Sequence, residues 1–189
     1  MENGSFVIEE YQAEVPLPEL LRHRDVSRVL AMCGSCPNHG RVWACPPHAD
    51  DYLAHLLDGY TVATIMGTRV CFSEATRAQC VSAEQRKQVS AEAIEEVWKK
   101  LLPRLYALER EHPHSRMFAG RCRLCGEQPC TRIAGEPCRH PHAMRHSLEA
   151  VGFDVVGIAR EFLGLELEWS AGAELPQHIT LVTAHFKRQ

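Results

Sequence analysis

The chain has 189 residues, of which 45% are hydrophobic and 24% charged, so it can bury the core of one globular domain spanning residues 1–189. Its formal net charge of −3 at pH 7 argues against a nucleic-acid partner or an anionic membrane surface, which proteins bind with a surplus of basic residues. No run of about 18 apolar residues is present, so we expect no membrane span.

The first half of the chain is predicted to contain two strands and two short helices. An apolar stretch at 6–8 indicates an edge strand, and the spacing of apolar residues at 19–31 indicates a helix. A second short helix is predicted at 50–58, with Asp50 as its N-cap. The β-branched stretch at 60–72 predicts a strand at the centre of the sheet.

The second half is predicted to contain the longest helix of the chain and two further strands. Apolar residues recur at helical spacing over 83–111, where Pro103 is expected to kink or split the helix. Residues 141–150 are predicted to be helical, while 154–158 and 178–186 have the composition of strands. Strands and helices alternate without a regular βαβ order, which favours an α+β fold: a small few-stranded sheet with packed helices and cysteine-rich metal-binding loops.

Four cysteines form what we term the four-cysteine segment: Cys122, Cys125, Cys130 and Cys138, separated by two, four and seven residues. The two residues between the first pair allow both sulfurs to reach one metal ion or two corners of one cluster. Glycines and prolines between the cysteines supply the irregular backbone needed to wrap such a centre. The chain has nine cysteines and lacks a secretory signal, so we expect a cytoplasmic protein whose cysteines stay reduced and bind metal.

The four-cysteine segment can be interpreted as a zinc site or as an iron–sulfur site. Zinc ribbons place two close pairs about a dozen or more residues apart, whereas one close pair is present here. A [4Fe–4S] cluster takes one thiolate per iron and is negatively charged, which nearby basic residues would offset. Arginines do cluster on this segment, and we predict that three of them contact the cofactor: Arg121, Arg123 and Arg139. The favoured interpretation is a [4Fe–4S] cluster, with zinc as the alternative.

A second group, the three-cysteine segment, repeats the same close pair with one ligand fewer. Its members are Cys33, Cys36 and Cys45. Three thiols leave one metal position to be filled, for which His39 and His48 are the nearest candidates and Cys71 and Cys80 the more distant ones. An open position is what catalytic metal sites keep for water or substrate, and the alternative is a small zinc knuckle completed by His48. Whether the two groups converge on one site is left open by the sequence.

Other constellations indicate no particular reaction. His142 and His146 would share one face of a helix at 141–150, where they could bind metal or lie at the surface. No Gly-rich phosphate loop, Gly-x-Ser-x-Gly elbow or His-Glu-x-x-His motif is present, which argues against a nucleotide-driven or hydrolytic enzyme. No catalytic residue is assigned, and whether the chain is an enzyme stays open.

Two stretches resemble a known family. CGSCPNHGRVWACPP, and CRLC followed by CRHPHAMRHSLEAVGFDV, are similar to the cysteine-rich proteins of domain-of-unknown-function family 2284, from about Cys33 to Phe186. The specific parts are the Cys-Pro-Pro at 45–47 and the Cys-Arg-His-Pro at 138–141. After the second of these, the similarity continues at Ser147, Glu149, Gly152 and Asp154. The resemblance implies metal held by cysteines, in particular iron–sulfur, and no defined reaction.

The leading hypothesis is an iron–sulfur protein that transfers electrons or supplies them to a partner enzyme, so a redox partner protein is expected. The alternative is a zinc-stapled scaffold without a redox role. A third hypothesis is an enzyme whose open three-cysteine site binds substrate. It requires a pocket beside Cys45 with a polar group facing it.

Overall fold

A four-stranded antiparallel sheet organises the part of the chain that the computed structural model describes, residues 5–49, 52–120, 122–168 and 174–188. Its strands are β1 (Phe6–Pro16), β2 (Val62–Phe72), β3 (Arg116–Phe118) and β4 (His178–Lys187). They lie in the order β1-β2-β4-β3. The predicted α+β class is confirmed, and the strands predicted at 60–72 and 178–186 correspond to β2 and β4.

The strand β2 holds the sheet together because it pairs with β1 on one side and with β4 on the other. Phe6 of β1 lies opposite Phe72, and His178 of β4 lies opposite Cys71. The predicted edge strand at 6–8 is therefore confirmed and extends through the whole of β1, although most of the added side chains are polar. Backbone pairing with β2, rather than an apolar pattern, accounts for this extension.

Five α-helices are present among the described residues. They are α1 (Leu17–Leu20), α2 (Val26–Cys33), α3 (Glu74–Gln79), α4 (Ala83–Glu111) and α5 (Val155–Leu163). The helix α4 coincides with the predicted helix and begins at a capping box formed by Ser82 and Gln85. It is continuous through Pro103, so of the two predicted effects the split is wrong and the kink stays a prediction. In the described part of the chain, none of the helices is both long enough and apolar enough to cross a membrane.

The helix predicted at 19–31 is divided in two. A 3-10 turn follows α1, and α2 starts only after Asp25, whose carboxylate accepts a hydrogen bond from the Arg28 amide at 3.0 Å. Arg24, between the two helices, is extended and forms a β-bridge with Phe153. A tertiary contact and a capping residue therefore interrupt an apolar pattern that would otherwise indicate one helix.

The helix predicted at 50–58 is wrong over its described part. Residues 52–59 form turns, and Asp50, the predicted N-cap, lies outside the described residues. The segment is held by contacts with distant parts of the chain, since the Leu53 carbonyl accepts a hydrogen bond from the Arg24 guanidinium at 3.1 Å. Such contacts satisfy backbone groups that a helix would have paired internally.

Two predictions near the C-terminus are also wrong. Residues 141–150 form turns and part of a 3-10 turn, where the Ser147 hydroxyl accepts a hydrogen bond from a backbone amide three residues later. The stretch 154–158 forms the start of α5 and not a strand. The Asp154 carboxylate caps this helix, because it accepts hydrogen bonds from the Val156 and Gly157 amides at 3.1 and 3.2 Å. A short apolar run does not distinguish helix from strand, and here the capping residue decides.

The sheet is packed on both faces. Because side chains alternate along a strand, Ile65 and Met66 of β2 point to opposite faces. Ile65 belongs to the largest buried cluster, which includes Ile158 of α5, whereas Met66 packs against the cluster of Trp98 and Leu101 on α4. The fold therefore has three layers: α4, the sheet, and a layer containing α5.

The edge of the sheet positions the candidate site. The strand β3 pairs only with residues 184–186 of β4, so residues 180–182 extend beyond the end of β3. The three-cysteine segment follows α2 and the four-cysteine segment follows β3. A cavity that contacts both segments opens beside residues 180–182.

Candidate functional site

The four-cysteine segment is an irregular loop between β3 and the turns that precede α5. Gly126 and Gly135 turn the chain with φ angles of 59° and 71°, a backbone conformation that favours glycine. The second of these glycines ends a short 3-10 turn at Thr131–Ala134. All four thiols are free and partly buried. The local sequence thus folds into a loop that can bend around a centre, as its glycines predict.

The other three thiols of this loop influence Cys122. Burial raises the pKa of Cys122, a hydrogen bond from the Leu124 backbone lowers it, and the charges of Cys125, Cys138 and Cys130 raise it again. Among the described residues, no three His, Cys, Asp or Glu side chains already surround one point as metal ligands would. Ligation by these four cysteines therefore stays a prediction.

The three-cysteine segment begins at the last residue of α2 and forms successive turns. The Cys36 amide donates to the Cys33 carbonyl at 3.0 Å. The loop is closed by the Gly40 amide, which donates to the Pro46 carbonyl at 2.8 Å. These backbone bonds bring the close pair and the later Cys45 to the same side of the loop, where all three line one cavity.

Cys45 connects the two cysteine groups. Burial is the largest cause that raises its pKa to about 11, followed by the charges of Cys36 and Cys33. Arg132 lowers this pKa, and Cys122, from the other segment, raises it. The largest thiol influences on Cys45 therefore come from its own segment, as those on Cys122 do from its own. The two groups are adjacent but distinct.

Arg132 joins the two segments. Its guanidinium donates hydrogen bonds of 2.5–3.0 Å to three carbonyls of the other loop. These carbonyls belong to Val42, Cys45 and Pro47. The same guanidinium lies 5.0 Å from the centre of the Trp43 ring, whose Nε1 donates back to the Glu136 carbonyl at 3.0 Å. This arginine therefore has a structural role at the junction of the loops.

The three arginines predicted to contact a cofactor have different surroundings. Arg121 lies outside the described residues. Arg123 forms an ion pair with Glu95 of α4, and its buried Nε has no hydrogen-bond partner among the described residues. Arg139 is exposed and donates to the Pro129 carbonyl at 2.9 Å across the loop. Contact of these arginines with a cofactor stays a prediction.

A cavity of about 660 Å³ lies against the three-cysteine segment. Its volume falls in the range of small-molecule sites, about 300–1,000 Å³. All three cysteines line it, and its other walls come from α2, α4, β4 and the segment around the start of α5. The polar side chains at its surface include Arg123, Ser147, Glu149, Asp154 and Thr180. A pocket beside Cys45, which the third functional hypothesis requires, is therefore present.

Glu149 supplies the polar group that this hypothesis also requires. Burial raises the pKa of its carboxyl group, while hydrogen bonds from its own amide and from Ser147 lower it. Its charge also acts on Cys33, whose pKa is raised first by burial and then by Glu149. From the sequence, Ser147 and Glu149 were noted only as part of the family resemblance after the Cys-Arg-His-Pro motif, and no role was predicted for them.

The candidates for a fourth ligand of the three-cysteine segment lie in different places. His48 is bonded through Nε2 to the Ala150 carbonyl at 2.7 Å. Cys80 is buried in a core cluster, and Cys71 lies on β2, where burial raises its pKa. Of the four candidates, all within the described part of the chain, only His39 lines the cavity with the three thiols.

His146 has a role that the sequence did not indicate. The helix face predicted to hold it with His142 does not exist, and His142 is exposed while His146 is 1% exposed. Its Nδ1 donates to the Ala44 carbonyl at 2.8 Å, and its Nε2 accepts from the Tyr52 hydroxyl at 2.7 Å. Burial lowers the pKa of His146 to about 4. The neutral ring thereby holds the backbone next to Cys45.

Comparison with known proteins identifies a family. No curated protein and no solved structure matches the chain. A family model, domain of unknown function 2284, described as "Predicted metal-binding protein", matches residues 24–184. The match spans both cysteine segments and the residues that line the cavity. The chain therefore belongs to the domain-of-unknown-function 2284 family of predicted metal-binding proteins.

Proposed function

We propose that this protein is a redox iron–sulfur protein whose [4Fe–4S] cluster is bound by the four-cysteine segment. The ligands would be Cys122, Cys125, Cys130 and Cys138. The observation that carries the proposal is that one irregular loop bears four free, partly buried cysteines, which is the number of thiolates that such a cluster needs. When bound, the cluster would supply single-electron transfer.

The loop has further features that suit an anionic cluster. The His140 amide donates to the Cys138 sulfur at 3.4 Å, and hydrogen bonds to the sulfurs are one of the means by which proteins set cluster potentials. Arg139 is exposed on the same loop, where its charge would offset that of the cluster, whereas Arg123 is already paired with Glu95. Residues 126–129 are exposed, so a redox partner protein could approach the loop there.

The cavity favours a second candidate function, catalysis at the three-cysteine segment. A metal held by Cys33, Cys36 and Cys45 would have one open position, and these thiols line a space large enough for a small molecule. Glu149 lies in the same space and could hold or release a proton there. The two loops are joined through Arg132, which would hold the two centres in a fixed relation to each other. Oxidation or reduction of a bound small molecule is therefore the second candidate.

A zinc-stapled scaffold is the competing function. Zinc bound by the thiols of one or both loops would stabilise the folded loops, which Arg132 already joins. It would leave the cavity beside the three-cysteine segment, and the carboxyl group of Glu149 within it, without a use.

Reversible reduction distinguishes an iron–sulfur protein from a zinc-stapled scaffold. Protein purified anaerobically should be brown, should lose its visible absorption when dithionite is added and should regain it on reoxidation. A Cys71→Ser protein should behave in the same way, because Cys71 lies on β2 outside both cysteine segments. Colourless protein that contains zinc would refute the redox function and support the scaffold.

A further inference from the structure

The strand β1 forms a long edge of the sheet. The strand order places it at one end of the sheet, and its 11 residues pair one to one with β2 without a bulge. The opposite edge is formed by β3, which has 3 residues. Proteins protect long edges with lysines, prolines or bulges, because unpaired backbone groups pair readily with another strand. In β1, all of which is described, the one such feature is Pro16 at its last position.

The backbone groups of the even-numbered residues of β1 point away from β2. At the two ends of the ladder, the Ser73 amide donates to the Ser5 carbonyl at 3.1 Å, and the Leu17 amide donates to the Thr61 carbonyl at 2.8 Å. Residues along an antiparallel strand alternate between bonding to one neighbour and facing the other side, so the odd-numbered residues bond to β2. Within the described part of the chain, the outward amides and carbonyls of residues 8, 10, 12 and 14 have no backbone partner.

The acidic side chains of β1 do not protect this edge, because each has a basic partner within the chain. The ion pairs are Glu9 with Arg69, Glu10 with Arg104, and Glu14 with Lys187. A carboxylate beside a basic group repels an approaching strand less than an unpaired carboxylate does. Two apolar side chains of the strand, Val7 and Ile8, are 41% and 39% exposed. A strand that pairs with β1 would therefore meet exposed apolar surface and little net charge.

Two copies of β1 fit each other best in one antiparallel register. When a twofold axis relates the copies, the register that overlaps the whole of Phe6–Pro16 places Tyr11 opposite its own copy. It sets Glu10 opposite Gln12 and Glu14 opposite an isoleucine, so no two carboxylates lie opposite each other. An axis at residue 10 would set Glu10 opposite its own copy, and an axis at residue 12 would set Glu10 opposite Glu14.

We propose that a second copy of this chain pairs with β1, so that the two sheets form one continuous antiparallel sheet about a twofold axis at Tyr11. The outward backbone groups of residues 8, 10, 12 and 14 then form about eight hydrogen bonds between the copies, a usual number for a protein interface. Since β3 leaves only a short edge at the other side, pairing stops at two copies. The strand β2 separates β1 from β4, so the cavity beside residues 180–182 stays open in each copy. The dimer does not depend on which metal the cysteines hold.

Crosslinking at the twofold axis tests the register. In a non-hydrogen-bonded antiparallel pair the Cα atoms lie about 4.5 Å apart, which is within the range of a disulfide. Anaerobically purified Tyr11→Cys protein, treated with diamide as the oxidant, should therefore give a disulfide-linked dimer on a non-reducing gel. Ala13→Cys, on the same face of β1, is the matched control, because its two copies would lie about 13 Å apart. Wild-type protein gives the background from the native cysteines.

The dissociation constant of the dimer tests the contact between Glu10 and Gln12 without an oxidant. By analytical ultracentrifugation, wild-type protein should have twice the chain mass of 21.3 kDa at about 100 μM, where a micromolar dimer is formed. Gln12→Glu sets two glutamates opposite each other on both sides of the axis and should raise the constant by about 5-fold, whereas Gln12→Lys should lower it by a similar factor.

Two controls separate this contact from effects on the fold and on total charge. The Gln12 side chain is exposed, so both variants should unfold at the same denaturant concentration as the wild type. Gln128→Glu adds the same charge at an exposed residue of the four-cysteine segment, which follows β3 at the opposite edge of the sheet, and should leave the dissociation constant unchanged.

Three results would overturn the dimer: a monomeric wild-type protein at the same concentration, a dissociation constant that Gln12→Glu does not raise, or equal crosslinking of Tyr11→Cys and Ala13→Cys. The first result would leave the edge of β1 to a strand of another protein. None of the three would change the iron–sulfur proposal, because β1 carries no cysteine.

Discussion

The Nδ1 atom of His146 lies 2.8 Å from the carbonyl oxygen of Ala44, and this hydrogen bond ties the loop that carries Cys45 to the segment that carries Glu149. The Tyr52 hydroxyl lies 2.7 Å from the other ring nitrogen. A ring that donates through one nitrogen and accepts through the other is neutral. Two walls of the cavity are therefore held together by an uncharged imidazole.

We predict that the free energy of unfolding decreases as the pH falls from 6.5 towards 4. The folded pKa of His146 is lowered by burial to about 4 from an ordinary value of 6.5, so in this window the unfolded chain binds a proton that the folded chain does not. One histidine contributes a slope of at most about 1.4 kcal/mol per pH unit. His48, Arg116 and Arg145 act in the same direction as burial, because their charges face the ring. Denaturant unfolding at a series of pH values measures the slope.

A pair of variants assigns this slope to His146. His146→Gln should lower the unfolding midpoint at pH 7 and flatten the dependence between pH 6.5 and 4, although His185, with a pKa also lowered by burial to about 4, will keep part of it. His142→Gln changes an exposed residue of the same segment and should alter neither quantity. An unchanged slope in His146→Gln would show that His146 is not the responsible group.

Removal of the Arg132 side chain is expected to loosen the junction between the two cysteine segments. Arg132→Ala loses three hydrogen bonds to carbonyls and the contact with Trp43, so we expect the free energy of unfolding to fall by about 2–4 kcal/mol. Bound metal should also be removed faster by a chelator, because metal binding and folding are coupled. Arg41→Ala, at an exposed arginine of the three-cysteine segment, is the control, and equal chelation rates in the two variants would refute the role of the junction.

A methyl group at Gly120 is expected to displace Trp98 and reshape the cavity. Gly120 has a φ of 53°, and an added Cβ would lie 2.6 Å from Cζ2 of the Trp98 ring. We expect Gly120→Ala to lower the free energy of unfolding by about 1–3 kcal/mol and to change tryptophan fluorescence. Gly164→Ala shares the positive φ of 65° but has no atom within 4 Å of its added Cβ, so it measures the backbone penalty alone. Equal losses in the two variants would mean that Trp98 accommodates the methyl group without cost.

The elements with long, regular patterns were predictable from the sequence, whereas several of the short ones were not. Periodic apolar residues identify α4, and a β-branched run identifies β2, because each pattern is long enough to decide between helix and strand. Asp154 reverses the prediction for 154–158 because its side chain caps a helix there, which the apolar run after it does not show.

The cysteine groups and the cavity, the two parts of the candidate site, also differ in how far the sequence predicts them. The cysteine groups can be found from the sequence because their spacing is local, whereas ligation of one centre by the four thiols of the second group stays a prediction. The cavity is not predictable, because its walls come from residues far apart in the chain, among them Trp98 of α4 and Thr180 of β4. The position of Glu149 beside the thiols depends on the turns that replace the predicted helix at 141–150.

The amounts of iron and acid-labile sulfide per chain decide whether the four-cysteine segment holds an iron–sulfur cluster. We would measure both, with zinc, in anaerobically purified wild-type protein and in the Cys138→Ser and Cys71→Ser variants. We predict matched iron and sulfide in the wild type and in Cys71→Ser, and a loss of about four of each in Cys138→Ser. Zinc in place of iron in the wild type, or full iron in Cys138→Ser, would contradict the claim.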